Sequence, residues 1–375
     1  MEVDVVSHSL NLLETLKESN ENNKLSDVKD AVEDWPWQES GGPKKSAFIN
    51  ALRGLGPEDD GAALSPCPTP PGEMAIYPNP KHPDFRLWDL PPTPAASPFE
   101  PEGYMERVKF LRYNVVVMAF TQSLQANSVA VFLEARSMQR DTVYFSLLAS
   151  EKDTEKGLEE RRNASLELMK AQGVALPKVF LVRPSCLEKL DFPGLLEEME
   201  RDLPEIRAHA LLLALPTLSP VLVTQKRDAF KALVWAAASL SGGVSAIPVP
   251  LVASMVDARV GVRILTKARA SLCLDDESVE RLAWQRRVDP ARLKALRTCN
   301  LSVEVTKGEV NLRLAAAEKE LTTNTTRLVE MAMPRHARSA GRSFTTMLQA
   351  LNGAIDEMGV DEEKILAAAG IGEGK

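Results

Sequence analysis

The sequence predicts an α/β fold built on a parallel sheet, followed by a region made only of helices. Apolar strands are predicted at 114–120, 142–150 and 178–185, and helical segments alternate with them. This alternation is typical of βαβ units, in which a helix returns the chain so that the next strand runs parallel to the last. Beyond Pro204 the apolar residues recur at helical spacing, so no further strand is expected.

Three regions are expected along the chain. Residues 1–30 form an N-terminal helical lead. Its short helix, around Leu10–Leu16, is expected to pack with the helical domain, because a single helix of that length is only marginally stable in water. Residues 31–205 form the α/β domain, and residues 206–375 form the C-terminal helical domain. Asp275 and Asp361 lie where helix N-caps are expected.

The last two predicted helices cover 343–358 and 361–369. In the first of them, apolar residues recur at helical spacing and predict a face that packs into the core. These residues are Phe344, Leu348, Leu351, Ile355 and Met358. The basic pairs Lys226-Arg227 and Arg286-Arg287 are interpreted as solvated helix faces rather than lipid-binding sites.

Composition and charge exclude several classes of protein. The 375 residues are 44% hydrophobic and 26% charged, which is typical of a globular chain. The net charge of −7 gives no large positive field, so no nucleic-acid partner is expected. The four cysteines are far apart and form no C-x-x-C motif, which argues against a disulfide framework or a zinc site and favours a reducing compartment, the cytoplasm.

One segment, 230–256, is long enough and apolar enough to be weighed as a membrane span. Gly242 and Gly243 interrupt it, as do Pro248 and Pro250, and much of its apolar character comes from Ala. Since Pro breaks helices, a buried helical hairpin is the favoured interpretation, and any membrane association is expected to be peripheral. The first residues show no basic start followed by an apolar run, so no signal peptide is expected.

The strongest candidate site is the stretch QESGGPKKSAFINALRG, residues 38–54. It resembles a phosphate-binding loop running into a helix, for which the pattern is G-x-x-x-x-G-K-[ST]. Lys45 and Ser46 match the end of this pattern, but Glu39 and Lys44 stand where the two glycines belong. A helix is predicted over 47–55. The segment before the loop, DAVEDWPW, carries charges and a Pro and therefore predicts a poor strand.

Further motifs identify a family resemblance. The phosphate-loop stretch continues into FINALRGLGPEDDGAA and is followed by YPNPKHPDFRLWDLP, QGVALPKVFLV, DFPGL, LLLALP and LDDES. Together these resemble the immunity-related, or interferon-inducible, GTPases over about residues 38–290, and the tail MLQALNGAIDEM resembles the divergent Q-type members. The resemblance implies a Ras-like P-loop G domain joined to a helical domain, with dynamin-like behaviour and association with intracellular membranes.

The resemblance also assigns phosphate-binding positions. They are Ser40, Gly41, Gly42, Lys45 and Ser46. Lys45 matches the family Lys that neutralises phosphate charge, and Ser46 matches the Ser that binds magnesium. Pro43 removes an N–H donor from the loop, and Lys44 places a side chain where the family has a Gly. This loop is therefore interpreted as the degenerate remnant of a phosphate site.

The motifs for magnesium and the γ-phosphate are also altered. Asp89, the second magnesium position that the resemblance implies, is retained in the sequence DLPP. The switch Thr pair of the family falls on Pro70 and Pro71, which carry no hydroxyl. The Gly whose N–H would contact the γ-phosphate is replaced by Pro92, which has no N–H.

The motifs that read the base are altered as well. The family sequence T-K-x-D aligns with residues 148–151, so that Ala149 replaces the Lys and Glu151 replaces the Asp. Glu151 is kept as a degenerate nucleotide-binding position, and Asp153 takes that place in an alternative alignment shifted by two residues. The fifth motif aligns with residues 183–185.

The sequence leaves three functions open. The altered motifs favour a pseudo-GTPase, for which neither catalytic residues nor a cofactor is expected. Such a protein would act as a protein-binding scaffold in innate-immune, vesicle or autophagy pathways. The alternative is a GTP-binding, dynamin-like GTPase at intracellular membranes, with GTP or GDP and with Mg²⁺ held by Ser46 and Asp89. A structural protein without a ligand is the third. Protein partners are expected, including a homo- or hetero-dimer formed through the G domain, in the cytoplasm or peripherally on intracellular membranes.

Overall fold

The computed structural model contains two compact units. It describes residues 35–38, 43–64, 74–83, 85–94, 98–245, 250–323 and 335–372. Among these, one unit comprises 35–216 and holds every strand, and the other comprises 217–372 and is entirely helical. The predicted fold, an α/β G domain joined to a helical domain, is confirmed.

The α/β unit is built on a six-stranded sheet. Its strands are β1 (Trp35–Gln38), β2 (Ala75–Pro78), β3 (Arg86–Asp89), β4 (Val116–Phe120), β5 (Val143–Leu148) and β6 (Phe180–Val182). They lie in the order β2-β3-β1-β4-β5-β6. All neighbours are parallel except β2 and β3. The three predicted apolar strands are thus confirmed as parallel neighbours, and β4 and β5 are buried throughout, as expected for strands covered on both faces.

Two strands depart from the sequence expectation. β1 is central, although its segment predicts a poor strand because of its charges and Pro36. The ladder to β4 begins at Trp37, one residue beyond Pro36, so the missing proline N–H is not needed on that side. β2 was not expected within the Pro-rich region. It is a short edge strand that ends at Pro78, where a Pro is tolerated.

Helices cover the sheet and form the described part of the second unit. In the α/β unit they are α1 (Pro43–Leu52), α2 (Pro101–Arg107), α3 (Ala126–Ser137), α4 (Glu155–Ala171), α5 (Phe192–Asp202) and α6 (Glu205–Ala214). In the helical unit they are α7 (Pro220–Ser245), α8 (Pro250–Ser271), α9 (Asp276–Arg286), α10 (Pro290–Lys294), α11 (Asn300–Val303), α12 (Lys307–Thr323) and α13 (Arg335–Ala368). α1 begins four residues earlier than predicted, directly at Pro43, because Pro is compatible with the first turn of a helix.

The C-terminal helix α13 is continuous over 34 residues, where the sequence predicted two helices. Its predicted core face is confirmed at Leu351, Ile355 and Met358, which are all buried. Leu348 is half-buried. The side chain of Phe344 lies outside those described.

Gly359 lies inside α13 and does not end it, because this glycine allows a close approach by α7. A Cβ atom at position 359 would lie 2.2 Å from Cδ of Arg227. The Arg227 guanidinium is fixed there by Asp356 at 2.7 Å and Glu363 at 3.1 Å. Arg227 was predicted to be solvated, and that prediction is wrong, since its side chain crosses α13 at Gly359 and pairs with two carboxylates there.

Lys226 also contradicts the predicted solvated face. Its side chain is fully buried, and Nζ donates to the carbonyl oxygen of Ser271 at 2.5 Å and to Oγ1 of Thr217 at 3.4 Å. An ammonium group is buried only where oxygen partners replace water. Lys226 therefore ties α7 to the end of α8.

Of the two predicted N-caps, only Asp275 is confirmed, since its carboxylate accepts from the Ser278 N–H at 3.1 Å. Asp361 lies within α13 and is buried. It accepts from the Cys299 N–H at 2.8 Å and from the hydroxyls of Thr298 and Ser302 at 2.6 and 2.8 Å. Burial alone would raise the pKa of Asp361, but these hydrogen bonds outweigh it and lower the pKa. Asp361 thus fixes the start of α11 rather than that of its own helix.

The predicted hairpin is observed as two helices, α7 and α8, that pack against each other. Its turn, 246–249, and the side chains of 236–257 lie outside the described part, as does the predicted N-terminal lead. Among the helices that the structure describes, none combines the length and the apolar character needed to cross a bilayer.

We predict that Gly359→Ala destabilises the protein by about 1–3 kcal/mol, because the new methyl group must displace an arginine held by two carboxylates. Gly353→Ala in the same helix is the matched control. No atom lies within 4 Å of a Cβ placed there, so this change is expected to stabilise the helix by about 0.5–1 kcal/mol. Urea denaturation measures both, and equal effects of the two substitutions would contradict the proposed approach of Arg227.

Candidate functional site

The candidate site lies at the carboxyl edge of the sheet. β1 ends shortly before α1, and β3 and β5 end at Asp89 and Leu148. Because these strands run parallel, their carboxyl ends meet at one edge, which is where ligands bind in open α/β sheets. The phosphate-loop, magnesium and base motifs are therefore brought to the same edge.

Lys45 and Asp89 form a buried ion pair at this edge. Nζ of Lys45, in the first turns of α1, lies 2.6 Å from Oδ1 of Asp89 at the end of β3, and each side chain is only 8% exposed. Burial raises the pKa of Asp89, and the neighbouring Lys45 opposes this rise without cancelling it. Each charge compensates the other, since an isolated charge in this environment would be strongly unfavourable.

Ser46 and Asn50 attach the next loop to α1. The Ser46 hydroxyl donates to the Leu64 carbonyl at 2.8 Å. The Asn50 side chain donates to the Ala63 carbonyl at 3.0 Å and accepts from the Ala63 N–H at 2.6 Å. The hydroxyl that would ligate magnesium in the family is therefore bonded to the protein's own backbone.

Arg53 lies on the same face of α1 as Ser46 and Asn50, because residues three or four positions apart along a helix are neighbours on its surface. Its Nε donates to the Pro78 carbonyl and its Nη1 to the Gly61 carbonyl, both at 3.0 Å, and the guanidinium lies over the Tyr77 ring. Burial lowers the pKa of Arg53. The loop 56–64 and the end of β2 are thus both fixed to one helix face.

Lys44 connects α1 to the loop after β5. Its Nζ lies 3.3 Å from both the Leu148 carbonyl oxygen and Oδ2 of Asp153. Lys44 occupies a glycine position of the phosphate-loop pattern. Its side chain therefore extends from the predicted phosphate-binding loop to the loop after β5, which carries the residues aligned with the base-reading motif.

Asp153 receives several donors besides Lys44. The Ser150 N–H and hydroxyl donate to Oδ2 at 2.6 and 2.7 Å, and Arg161 donates to Oδ1 at 2.6 Å. Burial would raise the pKa of Asp153, but the bonds from Ser150, Arg161 and Lys44 outweigh it and hold the pKa well below its usual range. Both oxygens of this carboxylate therefore accept hydrogen bonds from the protein itself.

Glu151 lies apart from this network. Its Oε1 accepts from the Ser185 hydroxyl at 2.5 Å. Residues aligned with the fourth and fifth motifs thus meet beyond β5 and β6, although the pair is exposed to solvent.

The predicted site residues fall into three groups. Lys45 and Asp89 are in direct contact, and Ser46 follows Lys45 on α1. Glu151 lies beyond β5. Ser40, Gly41 and Gly42 lie outside the described residues, as do the switch positions Pro70 and Pro71. The role of all these residues in nucleotide binding stays a prediction.

Sequence reasoning missed the polar residues that hold the site in place. Asn50 and Arg53 are the polar positions of FINALRG, and their helical spacing from Ser46 is a signal that they share a face. The contact between Lys44 and Asp153 joins residues 109 positions apart, and no local pattern indicates it.

Comparison with known proteins gives a consistent result. A sequence profile described as Interferon-inducible GTPase (IIGP) matches residues 37–355. Interferon-inducible GTPase 5 of Rattus norvegicus is 31% identical, with 86% of this chain and 73% of that protein covered. Immunity-related GTPase family Q protein of Mus musculus is 28% identical over 85% of this chain and 58% of its own length. T-cell-specific guanine nucleotide triphosphate-binding protein 2 of Mus musculus is 29% identical over 64% and 61%, respectively.

We predict that Asp153→Asn lowers the free energy of unfolding by about 1–3 kcal/mol at neutral pH, because four donors from three residues lose their charged acceptor. The folded-state pKa lies below the ordinary value of about 3.9, so this stabilisation is present above that value and is lost as the pH falls through the folded-state pKa. The difference between native and variant protein should therefore shrink below about pH 4.

Denaturation over a pH series measures this difference, with Asp141→Asn as the control. Asp141 is 68% exposed and pairs with an exposed Arg136, so its substitution should change stability by at most about 0.5 kcal/mol. A deficit in Asp153→Asn that stays constant down to strongly acidic pH would contradict the account.

Proposed function

Because this chain belongs to the interferon-inducible GTPase family, we propose that it is a pseudo-GTPase, which keeps the GTPase fold but binds other proteins instead of turning over GTP. The observation that carries the proposal is the buried Lys45–Asp89 ion pair at 2.6 Å. The cation expected to meet phosphate and the carboxylate expected to orient magnesium are already neutralised by each other.

Nucleotide binding would have to disrupt these contacts. Separating a buried ion pair costs about 3–5 kcal/mol unless each charge gains a new partner, and freeing the Ser46 hydroxyl leaves the Leu64 carbonyl without its donor. Backbone N–H donors supply much of the compensation in a phosphate loop. Pro43 and Pro92 have none, so less is regained here.

The residues aligned with the base-reading motif also offer few groups that could bind a base. Ala149, which replaces the family Lys, is buried and has no chain that could lie over a base. Asp153, the alternative base-reading carboxylate, already accepts from Ser150, Arg161 and Lys44. Specific reading of guanine would need a free carboxylate with two available oxygens, so this arrangement supports loss of base selectivity.

The described start of the loop after α1, residues 56–64, has contacts that favour a protein that does not switch. GTPase switch regions become ordered when they contact the γ-phosphate and are released after hydrolysis. Here the loop 56–64 is fixed by the side chains of Ser46, Asn50 and Arg53. These residues are held by the protein's own side chains, which suits a scaffold.

The alternative is a GTP-binding, dynamin-like GTPase at intracellular membranes. Lys45, Ser46 and Asp89 remain at one sheet edge, and several relatives carry the word GTPase in their names. Under either proposal the protein acts in the cytoplasm or peripherally on intracellular membranes, in innate-immune, vesicle or autophagy pathways. Its partners are proteins, including a second G domain, and not nucleic acids.

Calorimetric titration with GTP and with GDP, each with Mg²⁺, tests the proposal. We predict no measurable binding at micromolar protein and no GTP hydrolysis, because the charges of the site are internally paired. The mouse protein named as guanine nucleotide triphosphate-binding serves as the positive control for the assay.

A low micromolar dissociation constant would overturn the pseudo-GTPase proposal if Lys45→Ala abolishes it. Since Lys45→Ala leaves Asp89 buried without its partner, Lys45→Gln is the second variant, because its amide can still donate to Asp89. Loss of binding in both variants, with unchanged thermal unfolding of Lys45→Gln, would assign the site to nucleotide and restore the alternative.

A further inference from the structure

An exposed tryptophan lies at the junction between α9 and α10. Trp284 is 73% exposed, although it is the largest apolar side chain a protein can carry. It borders a groove of about 530 Å³. The groove is lined by Ala283, Trp284, Gln285, Arg287, Val288 and Pro290, which together we name the Trp284 groove.

The groove and the helix that begins beside it carry positive charges that form no ion pair within the described protein. Arg287, which lines the groove, and Arg292, two residues beyond the groove residue Pro290, are exposed, and neither side chain has a hydrogen bond or ion pair among the described residues. Three other basic side chains of this region are paired. These pairs are Arg281 with Glu277, Lys294 with Glu280, and Arg297 with Asp276.

The carboxylate nearest to them along the sequence forms no ion pair with either arginine among the described residues. Asp289, between Arg287 and Arg292, accepts from the Ala291 N–H at 3.0 Å and caps α10. Arg287 also has a left-handed backbone, with φ of 55°, at a helix end where Gly is favoured. The backbone therefore does not explain why an arginine stands at this position.

We infer that the Trp284 groove binds a segment of a partner protein in which acidic residues flank an apolar side chain. The apolar side chain enters the groove against the Trp284 ring, and the carboxylates pair with Arg287 and Arg292. Exposed Trp and Arg are the side chains that most often dominate protein interfaces, and Arg binds a carboxylate through two parallel bonds. This inference rests on the proposed protein-binding role and assigns it a surface.

An acidic protein segment fits better than a membrane surface. The groove is concave and holds one aromatic ring, so it suits an inserted side chain rather than a flat layer. The chain as a whole carries a net charge of −7, which repels an extended anionic surface but leaves a short acidic segment free to reach two local arginines.

The test is a fluorescence-anisotropy titration of the full chain with a labelled synthetic peptide, in which a central Leu-Leu pair is flanked by Asp and Glu. Trp284→Ala and Arg287→Gly should each weaken binding about tenfold or more. Arg287→Gly is informative because Gly suits the left-handed backbone, so loss of binding in this variant cannot be attributed to unfolding.

Matched controls are Leu312→Ala and Arg259→Ala, which alter an exposed apolar and an exposed basic side chain elsewhere in the helical unit. Both should bind the peptide as the native chain does. A peptide in which Lys replaces every acidic residue should not bind.

Three results would overturn the inference: no peptide binding, binding that the two groove variants leave unchanged, or binding to phosphatidylserine vesicles without binding to the peptide. The last result would assign the groove to lipid. Because the variants lie in the helical unit, a negative result leaves the nucleotide titration of the α/β unit unaffected, and the two proposals fail separately.

Discussion

The buried ion pair between Lys45 and Asp89 joins the start of α1 to the end of β3, and the rest of the α/β site is arranged around it. In a nucleotide-binding site these charges face a ligand. Here each is the other's partner at 2.6 Å, with little exposure to water. Replacing one of them leaves a buried charge uncompensated, so the pair constrains both elements at once. The pair holds α1 against the sheet.

α1 extends this constraint in two directions. One face, formed by Ser46 and Asn50 and continued by Arg53, holds the following loop and the end of β2. Lys44 reaches the opposite side of the site, where Asp153 gathers donors from three residues. Polar groups that would contact the ligand in a nucleotide-binding site are thereby hydrogen-bonded within the protein. Internal partners for the charges of the site support the proposed role as a binding scaffold.

The sequence was most informative where one physical factor dominates. Long apolar runs identified β4 and β5 because strands buried on both faces need apolar side chains at every position. It failed where long-range contacts override local preference. β1 contains Pro36 yet is central, and Gly359 does not end α13 because Arg227 crosses there. Lys226 and Asp361 are buried since partners distant in sequence satisfy them. In the site, Lys45, Ser46 and Asp89 were identified from motif positions, whereas Asn50, Arg53 and Asp153 act through contacts that no local pattern reveals.

Hydrogen–deuterium exchange with and without GTP and Mg²⁺ measures most directly whether the site is held by the protein alone. Residues 56–64 and 85–94 report on it, and the Ala63 amide, which donates to Asn50, is the most specific probe. Asn50→Ala should speed exchange at that amide, which establishes that the measurement reads this contact. We predict that exchange in both segments is the same in the presence and absence of nucleotide. Protection that increases when GTP is added would contradict the account, because it would mean that the ligand, rather than the Lys45–Asp89 pair and the face of α1, orders the site.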